Sequence, residues 1–142
     1  MKEKDEVVEE ILNKLSLTKC ADTVVGGEKI RGVSGGERKR LSIACELIAS
    51  PRLIFLDEPT TGLDSFQAEK VVMSLQELAK EGCTIVCVIH QPSGSIFNMF
   101  DDLLLLSEGQ LVYNGEAAKV ASYFSRLGFP CPKNINAGEF CL

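Results

Sequence analysis

Apolar residues recur along the chain with changing periods, and the changes mark its elements. Val7, Val8, Ile11, Leu12 and Leu15 return at helical spacing, which predicts an amphipathic helix over residues 5–16. Residues 21–35 are glycine-rich and irregular. Leu41, Ala44, Cys45 and Ile48 form a second helical stripe that Pro51 stops. "LIFL", 53–56, is a short, solidly apolar strand that runs into Asp57-Glu58-Pro59. A third helix begins near Asp64 and Ser65. It carries Ala68, Val71, Val72, Leu75, Leu78 and Ala79 on one face and closes at Gly82.

"TIVCVI", 84–89, is another fully apolar strand. Strands without alternation suit a parallel sheet covered by helices on both faces. Strand, helix and strand over 53–89 therefore make one βαβ unit. "LLLL", 103–106, and "LVYNG", 111–115, predict two further strands joined at Glu108-Gly109. A last helix is expected from about 116 to 127, and "FPCPKNINAGEFCL" reads as a turn-rich connector. No internal repeat or low-complexity segment interrupts this order. The fold class is α/β.

Composition narrows the function classes. At 142 residues the chain can bury a core, and 45% hydrophobic with 25% charged residues is ordinary for a soluble globular protein. A net charge of −5 argues against general attraction to nucleic acid or anionic lipid. No run approaches the ~18 apolar residues of a membrane span, and "MKEKDEVVEE" is too charged for a secretory signal. Cys20, Cys45, Cys83, Cys87, Cys131 and Cys141 lack C-x-x-C spacing, and most sit in apolar patterns as buried free thiols do. A single histidine makes zinc a poor reading, and a reducing cytosolic setting fits best.

Four stretches could carry chemistry. Asp57-Glu58 ends an apolar strand, where α/β proteins place their ligands. One carboxylate there can hold Mg²⁺, usually through water, while its neighbour orients and deprotonates an attacking water. A solvated pair of acids in a turn is the plainer alternative; the preceding strand and the following "PTTGLDS" weigh against it. Asp64 reads as an N-cap with Gln67 three residues on. His90 lies just past a buried strand, and a lone histidine is more often structural. Its place at the same end as Asp57-Glu58 favours a phosphate contact or proton handling.

The fourth is "RGVSGGERKR", residues 31–40. Ser34 and Glu37 have capping-box spacing, which would leave Arg38, Lys39 and Arg40 as a solvated first turn. Glycines at a helix start also bring amides up to a phosphate. Basic residues there oppose the helix dipole, so an incoming anion would relieve them. The chain has no Gly-Lys pair, hence no G-x-x-x-x-G-K-[ST] loop of its own.

Together, "VSGGERKRLSIACELIASPRLIFLDEPTTGLDS" and "VIHQPS" resemble the nucleotide-binding domain of an ABC transporter. Residues 33–37 match the signature motif, 53–58 Walker B, 60–65 the D-loop, and His90 the switch histidine. Chromosome-maintenance and break-repair ATPases share the signature and Walker B without this combined wording. The wording, with "LVYNGEAAKVASYFSRLGFPCP" and "NAGEF", resembles the G (white/eye-pigment) subfamily over almost the whole chain.

The resemblance implies a partial P-loop NTPase fold, a parallel sheet flanked by helices, that lacks the Walker A strand and loop. It implies that Asp57 helps hold Mg²⁺, Glu58 is the general base, His90 touches the γ-phosphate, and Asp64 acts across a dimer interface. The signature turn, Ser34, Gly35, Gly36 and Glu37, would close over ATP held by an opposing domain, with Ser34, Gly35 and Gly36 at its γ-phosphate. The implied partners are a second nucleotide-binding domain, in a homo- or heterodimer, and a transmembrane domain. The implied place is the cytoplasmic face of a membrane. On this pattern, 1–50 belong to the helical and signature subdomain, 51–115 to the Walker B and switch-histidine core, and 116–142 to a connector.

Departures accompany the matches. The adenine-stacking aromatic, the Walker A loop and the Q-loop glutamine are missing, and "NAGEF" stands where the family has N-P-A-[DE]-F. In the family's sheet, the Walker A strand lies between the strand before His90 and that at 102–106, so two edges are expected unpaired. A partial sequence, or a gene model begun at an internal methionine, accounts for both ends. A short product that lends its signature turn to another transporter's interface is the alternative. Sequencing the transcript upstream of Met1 separates them: an in-frame GxxGxGKS is expected, and a stop codon with the short protein present in cells would contradict it.

Overall fold

A computed structural model describes residues 2–27 and 29–141, and the chain divides into two compact units, Met1–Ile89 and His90–Leu142. The first unit runs α1 (Lys2–Lys14), a 3₁₀ turn (Thr18–Cys20), α2 (Gly35–Leu47), β1 (Leu53–Asp57), α3 (Ser65–Lys80) and β2 (Thr84–Val88). Helix α1 stops two residues short of the expected end at 16, because Ser16 turns left-handed, at φ 53°. Leu15 and Leu17, either side of that turn, are both buried.

The core of this unit joins Leu15 and Leu17 to Ile43 and Ala44 of α2 and to Val71, Leu75 and Leu78 of α3. On α3 the expected apolar face is buried apart from Ala79, which is half-buried, and Ser74 joins it by donating its hydroxyl to the Lys70 carbonyl at 3.1 Å. On α2 the expected stripe is rotated. The buried face is Gly36, Arg40, Ile43 and Ala44, Leu41 is half-buried, and Cys45 and Ile48 are exposed. None of the six cysteines is buried: Cys45 is exposed and the other five are half-buried.

Strands β1 and β2 are parallel, in register from Leu53↔Thr84 to Asp57↔Val88. Backbone bonds extend the ladder at both ends, Thr84 N–H to the Arg52 carbonyl (2.8 Å) and Glu58 N–H to the Val88 carbonyl (2.9 Å). Among the described residues, helices cover only one face. Leu56 and Ile85 pack into the helical core, whereas Phe55 is 73% exposed and Val88 61%. The expectation of cover on both sides does not hold here: four consecutive residues of each strand are apolar, yet burial alternates along it.

The second unit runs α4 (Gly94–Phe97), β3 (Asp102–Ser107), β4 (Gln110–Glu116), a 3₁₀ turn (Ala117–Lys119), α5 (Val120–Arg126) and α6 (Ala137–Phe140). Strands β3 and β4 form an antiparallel hairpin with a register irregularity between Leu105 and Leu106. Its turn has φ 50° at Glu108 and 76° at Gly109, the left-handed pair that matches strand twist. Phe97, Tyr113, Ala117 and Val120 make the core, with Tyr113 and Tyr123 edge to face at 5.0 Å.

Two short helices add to the expected elements, one between β2 and β3 and one within the expected connector. Ser93 Oγ accepts from Ile96 N–H to start α4, and Asn136 Oδ1 accepts from Glu139 N–H to start α6. The expected helix over 116–127 opens instead as a 3₁₀ turn before α5.

The bare face of the β1–β2 pair, with Leu104, Leu106 and Leu111 exposed on the hairpin, predicts a poorly stable, aggregation-prone chain in isolation. Purified alone it should melt broadly and aggregate; a sharp two-state melt would contradict this.

Candidate functional site

The loop before α2 delivers Ser34 in an extended conformation, φ −65° and ψ 163°. Its Oγ accepts from Glu37 N–H at 3.3 Å, and its own N–H donates to Glu37 Oε2 at 2.7 Å, closing the capping box. Ser34 holds the Glu37 carboxyl below its ordinary range, first through its backbone N–H and then through its hydroxyl. An α-helix supplies no internal acceptor for the first-turn N–H groups of Gly35 and Gly36. Gly36 is buried against α3, and a Cβ there would collide with Gln67 Oε1. The turn thus offers a hydroxyl and backbone donors at the positive end of a 13-residue helix.

The basic residues behind it are not one solvated turn. Arg38 is exposed and donates to the Val25 carbonyl at 3.3 Å; Lys39 is half-buried and reaches the Glu58 carbonyl at 3.4 Å. Arg40 is only 5% exposed, and its Nε and Nη1 have no partner among the described residues. With Lys19, Ser34, Glu37, Gln67 and Lys70 it lines a cleft of about 490 Å³. A buried guanidinium is costly, and the nearby Glu37 carboxylate offsets it without satisfying Nε and Nη1, so this cleft suits a further anionic group. The sequence reading named Arg40 only among the basic residues of the first turn and missed its burial, although its i+4 spacing from Gly36 puts both on one helix face.

Asp57 is the last residue of β1 and is exposed; Glu58, just beyond, is half-buried at φ 46°. Non-glycine residues rarely adopt that left-handed backbone, and it is held here from several sides. The Glu58 N–H bonds Val88, its carbonyl accepts from Thr61 N–H at 3.2 Å, and its Oε2 accepts from Thr61 Oγ1 at 2.8 Å. Asp64 caps α3, its Oδ1 accepting from Gln67 N–H at 2.8 Å. The Gln67 side chain does not reach back to complete a box; it packs against Gly36.

The first unit therefore holds the Ser34–Glu37 turn, Asp57, Glu58 and Asp64, with Lys39 tying α2 to the end of β1. His90 is exposed, two residues past β2, and opens the second unit. Among the described residues, no three His, Cys, Asp or Glu side chains cluster as a metal cage. Asp57, a single exposed carboxylate at a strand end, fits an ion such as Mg²⁺ that keeps most of its ligands from water and phosphate oxygens.

Comparison with known proteins places two family models on the chain: ABC transporter over residues 2–61 and ABC-2 type transporter over 90–142. ABC transporter G family member 7 of Arabidopsis thaliana is 60% identical over 139 residues, which cover 97% of this chain and 19% of that protein. The broad substrate specificity ATP-binding cassette transporter ABCG2 of Bos taurus is 50% identical over 140 residues, 99% of this chain and 21% of that protein. The chain thus spans about a fifth of the length of these relatives. An ATP-binding cassette of an ABC transporter, solved in its ADP conformation, superposes with a TM-score of 0.70 at 26% identity. The match covers 91% of this chain and 50% of that one.

The capping box makes the start of α2 sensitive to acid. The depressed Glu37 pKa stabilises this turn at neutral pH, and that contribution is lost as pH falls through the folded-state value. Ser34→Ala should cost about 1 kcal/mol. Glu37→Gln should abolish the acid fraying of residues 34–38 seen by amide exchange; unchanged fraying would contradict the assignment.

Proposed function

The chain belongs to the G family of ABC transporters, and from that premise we propose that it forms the second half of an ATP-hydrolysing motor domain that drives transmembrane transport. One observation carries this reading: a complete signature turn, hydrogen-bonded as a capping box, sits on the same chain as a strand-end Asp57-Glu58 pair. The turn supplies donors for a phosphate. By the family resemblance, the phosphate it covers would be that of an ATP bound by an opposing nucleotide-binding domain.

In this mechanism each residue does a separate part. Asp57 would help hold Mg²⁺, which when bound would neutralise phosphate charge, and Glu58 takes a proton from the water that attacks the γ-phosphorus. His90 donates a hydrogen bond to the γ-phosphate, and Asp64 contributes to the interface from the far end of the turn after β1. Ser34, Gly35 and Gly36 contact the γ-phosphate across that interface, and Glu37 holds the turn in shape. ATP joins two such domains and hydrolysis parts them, which moves the attached membrane domains. No helix among the described residues is long and apolar enough to cross a membrane, so the membrane domain would be contributed by the rest of the transporter.

A second reading rests on the same turn. Because its capping box closes between Ser34 and Glu37, the chain alone could occupy another transporter's dimer interface without hydrolysing ATP. Adding the purified chain to an active G-family transporter separates the two, since only this reading predicts altered turnover.

Two measurements test the principal reading. The chain alone should show no ATP turnover, and robust Mg²⁺-dependent hydrolysis that disappears on Glu58→Gln would sink it. In the full-length transporter, Glu58→Gln should lower turnover by about 10²- to 10⁴-fold while ATP still joins the domains.

A further inference from the structure

We propose that Thr61 is a positioning residue for the Glu58 carboxylate, so that the turn between β1 and α3 aims the base that its own sequence carries. This rests on the reading of Glu58 as the general base. The backbone of Glu58 has little freedom. Its N–H is tied to Val88 in β2, and its carbonyl accepts from Thr61 N–H and from Lys39 Nζ. A left-handed φ of 46° sets the direction in which the side chain leaves the strand. What the backbone leaves unset is the rotation of the carboxylate, and the Thr61 hydroxyl sets it with a 2.8 Å bond to Oε2.

The arrangement divides the work between the two carboxylate oxygens. Oε2 is engaged by a donor and anchors the group; Oε1 is left to accept the proton of a water. A hydroxyl suits this task because it can turn its one proton toward the carboxylate and has no charge to compete with Mg²⁺ nearby. Thr61 is itself carried by the turn: its N–H bonds Glu58, and Leu63 N–H bonds Thr60 at 3.2 Å, one residue before the Asp64 cap of α3. A shift of this turn therefore moves Thr61 and, through its hydroxyl, the carboxylate. Small misplacements of a reacting group are costly to rate, so the effect falls on turnover rather than on nucleotide binding.

The test uses the full-length transporter. Thr61→Val keeps the shape and removes the hydroxyl, and Thr61→Ser keeps the hydroxyl. Thr61→Val should lower kcat for ATP hydrolysis about tenfold with KM for MgATP within twofold, and Thr61→Ser should restore it. In a Glu58→Gln background, Thr61→Val should cause no further loss, because the group it positions is gone. If Glu58→Gln abolishes hydrolysis while Thr61→Val leaves kcat unchanged, or if Thr61→Ser fails to rescue, the positioning role is wrong. Retained ATP-dependent association of Thr61→Val excludes misfolding, and loss of that association along with kcat would count against the proposal. A Glu58→Gln enzyme that still hydrolyses ATP overturns the base assignment instead.

Discussion

Most of the site geometry depends on one rung of the parallel ladder, the bond from Glu58 N–H to the Val88 carbonyl. It lies beyond the end of β1, where the chain must leave the sheet and turn towards α3. Holding that amide fixes where Asp57 and Glu58 emerge, and the carbonyl of the same residue receives Thr61 and Lys39. Two acids, a turn and a helix start are thereby referred to one point on the sheet. The left-handed backbone of Glu58 is tolerated because these bonds over-determine it.

The sheet that provides this rung is supported unevenly. Ile54, Leu56, Ile85 and Cys87 face one way, and Leu56 and Ile85 pack into the helical core; Leu53, Phe55, Val86 and Val88 face the other and are exposed. The long apolar face of α3 carries the cost of ordering the unit from a single side. Strength is therefore concentrated where α2, α3 and the sheet meet, next to the signature turn and the strand-end acids.

Much of this was legible in the sequence, for physical reasons that can be named. The α3 face was readable because its apolar positions repeat strictly and both ends are marked, by Asp64 and by Gly82. The hairpin was readable because Glu108-Gly109 suits a turn with two left-handed residues. The α2 face was misread because its buried side includes Gly36 and Arg40, which no hydrophobicity pattern marks. The two short helices were missed because four residues are too few to show a period, although Ser93 and Asn136 sit where caps belong. The one-sided cover of the sheet was invisible, since an apolar strand looks the same whether one face or two are packed.

Within the site, Ser34, Glu37, Asp57 and Glu58 were found because their spacing carries the chemistry. Arg40 and Thr61 were not, because each matters through a three-dimensional neighbour. The contact between Gly36 and Gln67 has a mechanical consequence. A methyl group at position 36 would force the Gln67 side chain aside, so glycine is what lets the starts of α2 and α3 pack this closely. Gln67 lies in the first turn of α3, which Asp64 caps, and Gly36 lies in the first turn of α2, which Ser34 caps. The two capped helix starts thus meet through a glycine and an amide side chain, so the conformation of each cap is set beside the other.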